Sequence, residues 1–331
     1  MSRTRASALA SAAAATALVV LAAGPASATA DPKIVNPKVV AHFAFASGQT
    51  PENIALEPDG SANITFALAR QVARVTKKGA TTVLATFPAV ANPRTPVIGA
   101  AATMGIARGA DGTLYVTYAT GTAAENGIWR VPAGGGTPVR VAPLPPEGFP
   151  NGLALDESCD MLYAADSVKG TVWRVPTTGG TPVAWATGAA LQGIAPPAGA
   201  GVGANGIKVH DGAVWVSNTD KQTLVRIPVR ADAGRTAGPA ETKATGLAWI
   251  DDFTFTGHGD TVLAALILRD ELALVRPDGT HKVVLTAKDG LTNPTSVAVQ
   301  ARTVYVNSSA FFVQQNQAPN LLLARISRHK R

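Results

Sequence analysis

Six short apolar phrases recur along this chain of 331 residues, and each opens with a pair of small or polar residues. From the first apolar residue of one phrase to that of the next, the steps are 52, 47, 54, 46 and 44 residues, counted through Ile54, Ile106, Leu153, Ile207, Phe253 and Val297. A repeat of roughly 40–50 residues that contains several short strands is typical of β-propeller blades. The spacing therefore predicts an all-β chain folded as a six-bladed β-propeller, with each phrase as the innermost strand of a blade.

The third repeat contains every strand of a predicted blade. Its apolar stretches at 152–155, 161–165, 171–175 and 182–185 are separated by clusters of Asp, Ser, Thr and Gly. Short apolar stretches bounded by turn-forming residues are typical of antiparallel strands. The same phrasing in the other repeats predicts four strands per blade.

The last repeat lacks a fourth strand, because no apolar stretch follows Ile326. The segment 39–44, which precedes the first blade, has the apolar composition of a strand. If it completes the last blade, the ring closes without an exposed sheet edge, which would otherwise favour aggregation. The sequence thus predicts a propeller closed by an N-terminal outer strand.

The two ends of the chain differ in composition from the repeats. Two arginines precede an apolar run at 12–23, and tripeptides of the Ala-x-Ala type end at Ala28 and Ala30. This order is typical of a secretory signal peptide, and the run is short for a membrane span. We therefore predict a secreted protein, cleaved near Ala28 or Ala30, with no stable membrane insertion. The predicted organisation is a signal peptide at 1–30, a propeller domain at 31–327 and a basic tail at 328–331.

Composition narrows the possible partners. Hydrophobic residues make up 46% of the chain and charged residues 15%, which predicts a large folded core rather than disorder. Cys159 is the sole cysteine, so no intrachain disulfide can form. The net charge of +7 lies partly in the tail, where no aromatic residues accompany the basic ones, so nucleic-acid binding is not expected. We expect a monomer that acts on a small molecule.

The polar pairs stand at the same phase of their repeats, which predicts that their first residues surround one axis. The carboxylates and amides at this position are Glu52, Asn151, Asn205 and Asp251. Asn-Gly is also the strongest hairpin signal, so ordinary turns are an alternative for the two Asn-Gly pairs. A turn does not require the carboxylates that Glu52 and Asp251 supply at this phase. We therefore predict that the four residues converge in a central tunnel.

The chemistry of this predicted ring favours a cation. Glu52, Asp251 and the neighbouring Asp252 supply anionic oxygens, and like charges close together either protonate or bind a cation. Asn151 and Asn205 supply neutral carbonyl oxygens. An all-oxygen set suits Ca²⁺ better than Zn²⁺, with another divalent cation or a solvated tunnel without metal as the alternatives.

Two motifs carry a family resemblance. The phrase Pro-Asn-Gly-Leu-Ala-Leu-Asp at 150–156 and the phrase Leu-Tyr-Ala-Ala-Asp-Ser at 162–167 resemble the SMP-30/gluconolactonase/LRE-like six-bladed propellers. The resemblance implies that Glu52 and Asn151 bind a divalent metal, because they match the Glu of blade one and the Asn of Pro-Asn-Gly. At a third family position, where gluconolactonases carry an Asp thought to serve in catalysis, this chain has Asn205.

The whole set is also similar to the calcium ring of paraoxonase-like propellers, with Asp252 where those proteins carry a further Asn. Their activity on lactones, aryl esters and organophosphates implies a calcium-dependent hydrolase of a lactone or related ester. The ion would polarise the carbonyl, and Asp251 or Asp252 would be the general base. The His pair of those enzymes is not recognisable here. The alternative is a non-catalytic propeller that binds a ligand or protein and holds a structural central ion, or an NHL-like sensor without metal.

Overall fold

The computed structural model describes residues 31–327, which form six four-stranded antiparallel sheets. The predicted signal peptide at 1–30 and tail at 328–331 lie outside the described residues. In the described part no helix is long and apolar enough to cross a membrane. The predicted all-β, six-bladed β-propeller is confirmed.

The strands follow one another blade by blade along the chain. Before blade one lies β1 (Ile34–His42). Blades one and two contain β2 (Pro51–Leu56), β3 (Ala62–Phe66), β4 (Gln71–Val75), β5 (Thr81–Thr86), β6 (Ala102–Arg108), β7 (Leu114–Ala119), β8 (Gly127–Val131) and β9 (Val139–Pro143). Blades three and four contain β10 (Pro150–Asp156), β11 (Met161–Asp166), β12 (Thr171–Pro176), β13 (Val183–Thr187), β14 (Ala204–His210), β15 (Ala213–Asn218), β16 (Thr223–Pro228) and β17 (Glu241–Ala244). Blades five and six contain β18 (Ile250–Phe255), β19 (Val262–Leu266), β20 (Glu271–Val275), β21 (His281–Leu285), β22 (Pro294–Gln300), β23 (Thr303–Ser308) and β24 (Asn320–Ile326). Short 3₁₀ turns lie at Phe45–Ser47, Ile267–Arg269 and Ala287–Asp289.

The N-terminal strand closes the ring. In blade six the strand order is β1-β24-β23-β22, and β1 pairs antiparallel with β24 from Ile34 opposite Ile326 to His42 opposite Asn320. The predicted closing strand is therefore confirmed, although it begins earlier than residue 39. Joining the two ends of the chain in one sheet protects the edge of β24.

Apolar side chains pack between neighbouring blades rather than around one centre. Between blades four and five, for example, the fully buried Trp215 of β15 packs with Phe253 of β18 and Val262 of β19. Because each blade presents its faces to its neighbours, only the edges of the innermost strands line the central axis. This arrangement makes the first residues of the innermost strands the positions that matter for a site.

A β-bulge interrupts each innermost strand near its start. In blade one the ladder pairs Pro51 with Phe66 and then Ile54 with Ile64. Two residues of β2, Glu52 and Asn53, therefore lie opposite a single residue of β3. Equivalent shifts occur at the small or polar pair in blades two to five, and a related shift follows Pro294 in blade six. A bulge bends the strand and redirects side chains. The polar pairs are thus bulge residues rather than hairpin turns.

Three of the bulges require glycine because the next blade passes very close. A Cβ on Gly105 would lie 2.4 Å from the Leu153 nitrogen, and one on Gly152 would lie 2.4 Å from the Asn205 carbonyl oxygen. A Cβ on Gly206 would lie 2.3 Å from an Asp252 carboxylate oxygen. The glycine of each Asn-Gly pair therefore permits close contact between blades, which corrects the alternative interpretation of these pairs as turns.

Candidate functional site

The sequence-predicted site residues all lie in the bulges at the start of the innermost strands. Glu52 is in β2, Asn151 in β10, Asn205 in β14, and Asp251 and Asp252 in β18. All five are at most 6% exposed. Hydroxyl groups of second strands fix the bulges from the preceding blade, since Thr65, Thr117 and Ser217 donate hydrogen bonds to the main-chain oxygens of Met104, Asn151 and Asp251.

Two of the acids, Glu52 and Asp251, lie close together, and neither is held in an ion pair within residues 31–327. Burial raises the pKa of Glu52 to about 8, and the charge of Asp252 raises it further. Burial likewise raises the pKa of Asp251 well above its usual range, and the charges of Glu52 and Asp252 raise it further; a side-chain hydrogen bond from Asn205 and the charge of Lys208 lower it but do not outweigh these causes. Neither forms a salt bridge with Lys or Arg within residues 31–327. Such a pair must hold a proton or a bound cation.

Asp252 has a different environment from its neighbour. The Lys208 ammonium contacts both of its carboxylate oxygens, at 2.6 and 2.7 Å, and the amide nitrogen of Asn53 donates to one of them at 3.1 Å. Lys208 also lies over the ring of Phe253, 5.5 Å from its centroid. The charge of Asp252 is therefore compensated by the protein itself.

Sequence reasoning missed Lys208, although a signal was present. It follows the first apolar residue of its phrase, where four of the other five phrases carry Ala and the fifth carries Thr254. A single lysine among small residues at one phase of a repeat indicates a specific partner, because a buried ammonium needs a counter-charge. The partner, Asp252, lies 44 residues further along the chain.

Hydroxyl groups orient the two asparagine side chains. The Ser167 hydroxyl donates to the Ala204 carbonyl oxygen at 2.7 Å, and the Thr219 hydroxyl donates to that of Ile250 at 2.7 Å. Since each hydroxyl has one proton, it can only accept from the asparagine beside it. The amide nitrogen of Asn151 donates to Ser167 at 3.3 Å, and that of Asn205 donates to Thr219 at 3.0 Å. No hydrogen bond to either amide oxygen is formed in the described part of the chain, so these oxygens are available to a cation.

The side chains of this ring offer only oxygen atoms, which suit a hard cation. Among residues 31–327 no three side chains of the His, Cys, Asp and Glu types converge to hold a metal. A cation in the ring would therefore depend on the oriented amide oxygens as well as on Glu52 and Asp251. Carboxylates combined with neutral carbonyls are the ligands that Ca²⁺ accepts.

Comparison with known proteins identifies the fold. No family model and no curated protein matches the sequence of this chain. Among solved structures, the PQQ-bound aldose sugar dehydrogenase of Streptomyces coelicolor is 16% identical with a TM-score of 0.63, covering 90% of this chain and 99% of that one. The calcium-binding protein regucalcin of Agrobacterium tumefaciens is 16% identical with a TM-score of 0.61, covering 85% and 92%. A gluconolactonase of Xanthomonas campestris is 14% identical with a TM-score of 0.59, covering 90% and 98%.

The similar structures include the gluconolactonase and regucalcin-like propellers that the two motifs resemble. That resemblance is therefore confirmed. At these identities the likeness shows a shared architecture and does not carry over an activity.

Proposed function

We propose that this protein is a hydrolase that cleaves a lactone or a related ester with the help of a divalent cation, Ca²⁺ in our assignment. Glu52, Asn151, Asn205 and Asp251 would hold the cation. The observation that carries the proposal is the pair of buried acids, Glu52 and Asp251, which form no ion pair within residues 31–327 and share a ring with two oriented amides. When bound, the cation would polarise the substrate carbonyl.

A carboxylate of the protein would accept and transfer the proton of the attacking water. The water oxygen bonds to the carbonyl carbon, the acyl C–O bond breaks, and the water proton passes through a carboxylate to the departing oxygen. Asp251 is the base we favour, because its carboxylate receives a side-chain hydrogen bond from Asn205 but is not held in an ion pair within residues 31–327. Asp252 is the second candidate, but Lys208 and Asn53 already occupy its oxygens.

We also propose that the protein is exported. The support is the order of charged, apolar and small residues in 1–30, together with a propeller whose first strand, β1, begins at Ile34, shortly after the proposed cleavage near Ala28 or Ala30. The N-terminal residue of protein recovered from the culture medium tests this assignment. A start at Thr29 or Asp31 supports it, and a start at Met1 contradicts it.

Hydrolysis of a panel of lactones and aryl esters, with and without a chelator, tests the proposed activity. We expect turnover that the chelator abolishes and Ca²⁺ restores. Asp251→Asn should lower kcat by roughly 100-fold or more, as loss of a general base does. The matched control is Glu147→Gln, an exposed acid in the loop before β10. Absence of chelator-sensitive turnover on every member of the panel would favour the alternative, a non-catalytic binding protein with a structural ion in the ring.

A further inference from the structure

The carboxylate of Asp220 holds together the long loop between β13 and β14, residues 188–203. Asp220 lies in the loop between β15 and β16. One of its carboxylate oxygens accepts hydrogen bonds from the main-chain nitrogens of Ile194 and Val202, at 2.8 and 2.9 Å. The other oxygen accepts from the main-chain nitrogen of Ala200 at 3.1 Å. Because hydrogen bonds to an ionised acceptor are the strong ones, Asp220 ties both ends of the segment 194–202 to blade four.

The end of this loop lies between the two residues whose hydroxyls orient the ring asparagines. The main-chain nitrogen of Gly203 donates to the Ser167 carbonyl oxygen at 2.8 Å. The main-chain nitrogen of Thr219 donates to the Gly203 carbonyl oxygen at 3.2 Å. Ser167 accepts from the amide of Asn151, and Thr219 accepts from that of Asn205. Gly203 therefore bridges the supports of both asparagines.

Asp220 is directly connected to this bridge. Its main-chain nitrogen donates to the Val202 carbonyl oxygen at 3.0 Å, while the Val202 nitrogen donates to its carboxylate. Val202 directly precedes Gly203, and Thr219 directly precedes Asp220. The backbone passes very close to itself here, since a Cβ on Gly203 would lie 2.2 Å from the Leu191 carbonyl oxygen. A displacement of the loop would therefore move Gly203 and the two residues that it bridges.

The loop itself contributes little to the core. Residues 194–198 are exposed, and Leu191 is the only large apolar residue of 188–202 that is buried. Main-chain nitrogens released from Asp220 would be hydrated, so the loop would loosen while the blades stay folded. The hydrogen bonds of Asp220 thus fix the shape of the loop and the position of its neighbours rather than the stability of the propeller.

We propose that Asp220 is a positioning residue of the ring. By holding the loop, it keeps Ser167 and Thr219 at the spacing in which their hydroxyls turn the amide oxygens of Asn151 and Asn205 towards a cation. This inference rests on the proposed function, since it takes the two amide oxygens as ligands. Asp220 acts through the loop and the two hydroxyls, and no contact with the cation is assigned to it.

The test uses Asp220→Asn, which keeps the size of the side chain but places an amide group against the donors of the loop. Asp220→Ala, which removes the acceptors and adds no donor, is measured beside it. We expect the calorimetric affinity for Ca²⁺ to fall by about tenfold or more in both variants, because both amide ligands lose their orientation. The melting temperature should fall by no more than about 4 °C.

The side-chain amide signals of Asn151 and Asn205 in the ¹⁵N NMR spectrum of the chelator-treated protein report orientation without a metal. Asn151→Asp and Asn205→Asp assign these signals, since each removes one of them. We expect both signals to shift or broaden in Asp220→Asn. The matched control is Asp289→Asn, because Asp289 accepts from the main-chain nitrogen of Thr286 in the loop before β22, where the innermost strand carries no proposed ligand. It should change neither the signals nor the affinity.

The lost charge of Asp220 would also lower the affinity for a cation, but salt screens this contribution. The titrations are therefore repeated at about 1 M salt, where we expect the loss to persist. A loss that disappears at this salt concentration would overturn the inference. Unchanged amide signals in the folded variants would overturn it as well, and so would failure of both variants to fold.

The two readouts separate this inference from the proposed function. If the wild-type protein does not bind Ca²⁺, the proposed function fails, and the amide signals of the metal-free protein decide the inference. Signals that change in Asp220→Asn and stay unchanged in Asp289→Asn then uphold the positioning role, whereas equal spectra of the two variants contradict it.

Discussion

Two buried glutamates at opposite ends of one strand of blade one differ in how their negative charge is compensated. Glu52 lies at the start of β2, and Glu57 directly follows its end; both are less than 9% exposed. The pKa of Glu52 is raised to about 8, whereas that of Glu57 is lowered. Burial raises the pKa of both acids, but at Glu57 the hydrogen bonds and charges of its partners outweigh it.

The partners of Glu57 are two arginines and an amide. Its carboxylate accepts from Asn63 at 2.9 Å, from Arg74 at 2.5 Å and from Arg108 at 2.7 Å. A buried acid whose charge is compensated in this way stabilises the fold, and its oxygens are not available to a ligand. Burial alone therefore does not identify the site, whereas burial of an acid that forms no ion pair does.

The largest expected effect is on stability. Glu57→Ala leaves Arg74 and Arg108 without their shared acid, and we expect it to lower the free energy of unfolding by about 3 kcal/mol, as broken buried ion pairs do. Glu52→Gln, measured in a chelator, removes an unmatched acid and should be neutral or stabilising. Denaturant unfolding of both variants measures the difference in the free energy of unfolding. Equal destabilisation would contradict the contrast between Glu57 and Glu52.

The second prediction concerns the loss of the cation that is paired with a buried acid. Lys208→Met leaves Asp252 without its ammonium partner, and we expect a loss of about 2 kcal/mol in a chelator. The loss is smaller than for Glu57→Ala because one ion pair is broken instead of two. The control is Lys169→Met at the exposed pair with Glu147, where we expect less than about 1 kcal/mol. A Lys208→Met loss no larger than that of the control would show that Asp252 does not need the ion pair.

The two glutamates should also make the stability of the fold depend on pH in opposite directions. The folded protein binds the Glu52 proton more tightly than the unfolded chain, so its contribution to stability is full below about pH 4.5 and is lost as the pH rises through about 8. The lowered pKa of Glu57 has the opposite sign: its contribution is present above pH 4.5 and is lost as the pH falls through the folded-state value.

Unfolding curves across this pH range, recorded with chelator and with Ca²⁺, measure the two contributions. We expect the alkaline loss, on the order of 1 kcal/mol or more, to become smaller in Glu52→Gln, where Asp251 still has a raised pKa, and to disappear in the presence of Ca²⁺, because a cation replaces the proton. An alkaline loss of unchanged size in Glu52→Gln would mean that other groups cause it.

The smallest expected effect concerns the orientation of an amide. Thr219→Val keeps the shape of the side chain but removes the acceptor that holds the amide nitrogen of Asn205. We expect the affinity for Ca²⁺ to fall by about tenfold, as when outer residues of metal sites are replaced. The matched control is Thr223→Val in the neighbouring strand β16, which should change the affinity by less than about twofold. Equal effects of the two substitutions would remove the role assigned to Thr219.

The fold was predictable from the sequence because the repeat is strong. The position of the polar pairs within the repeats and the missing strand after Ile326 can be read from the order of residues along the chain, and they predicted the innermost strands and the closure of the ring. The bulges were not predictable, since Asn-Gly has a local preference for turns and only the close approach of the next blade shows why Gly152 and Gly206 are needed. The pairing of Lys208 with Asp252 depends on contacts between blades, which local patterns do not contain.

Calorimetric titration of Ca²⁺ into the chelator-treated protein measures whether Glu52 and Asp251, two buried acids that form no ion pair within residues 31–327, bind a cation. Glu52→Gln and the exposed control Glu147→Gln should be titrated beside the wild type. We predict binding at one site in the wild type and in Glu147→Gln, and at least about a 100-fold loss of affinity in Glu52→Gln, corresponding to roughly 2.7 kcal/mol. Absence of binding in the wild type, or equal binding in Glu52→Gln, would contradict the account.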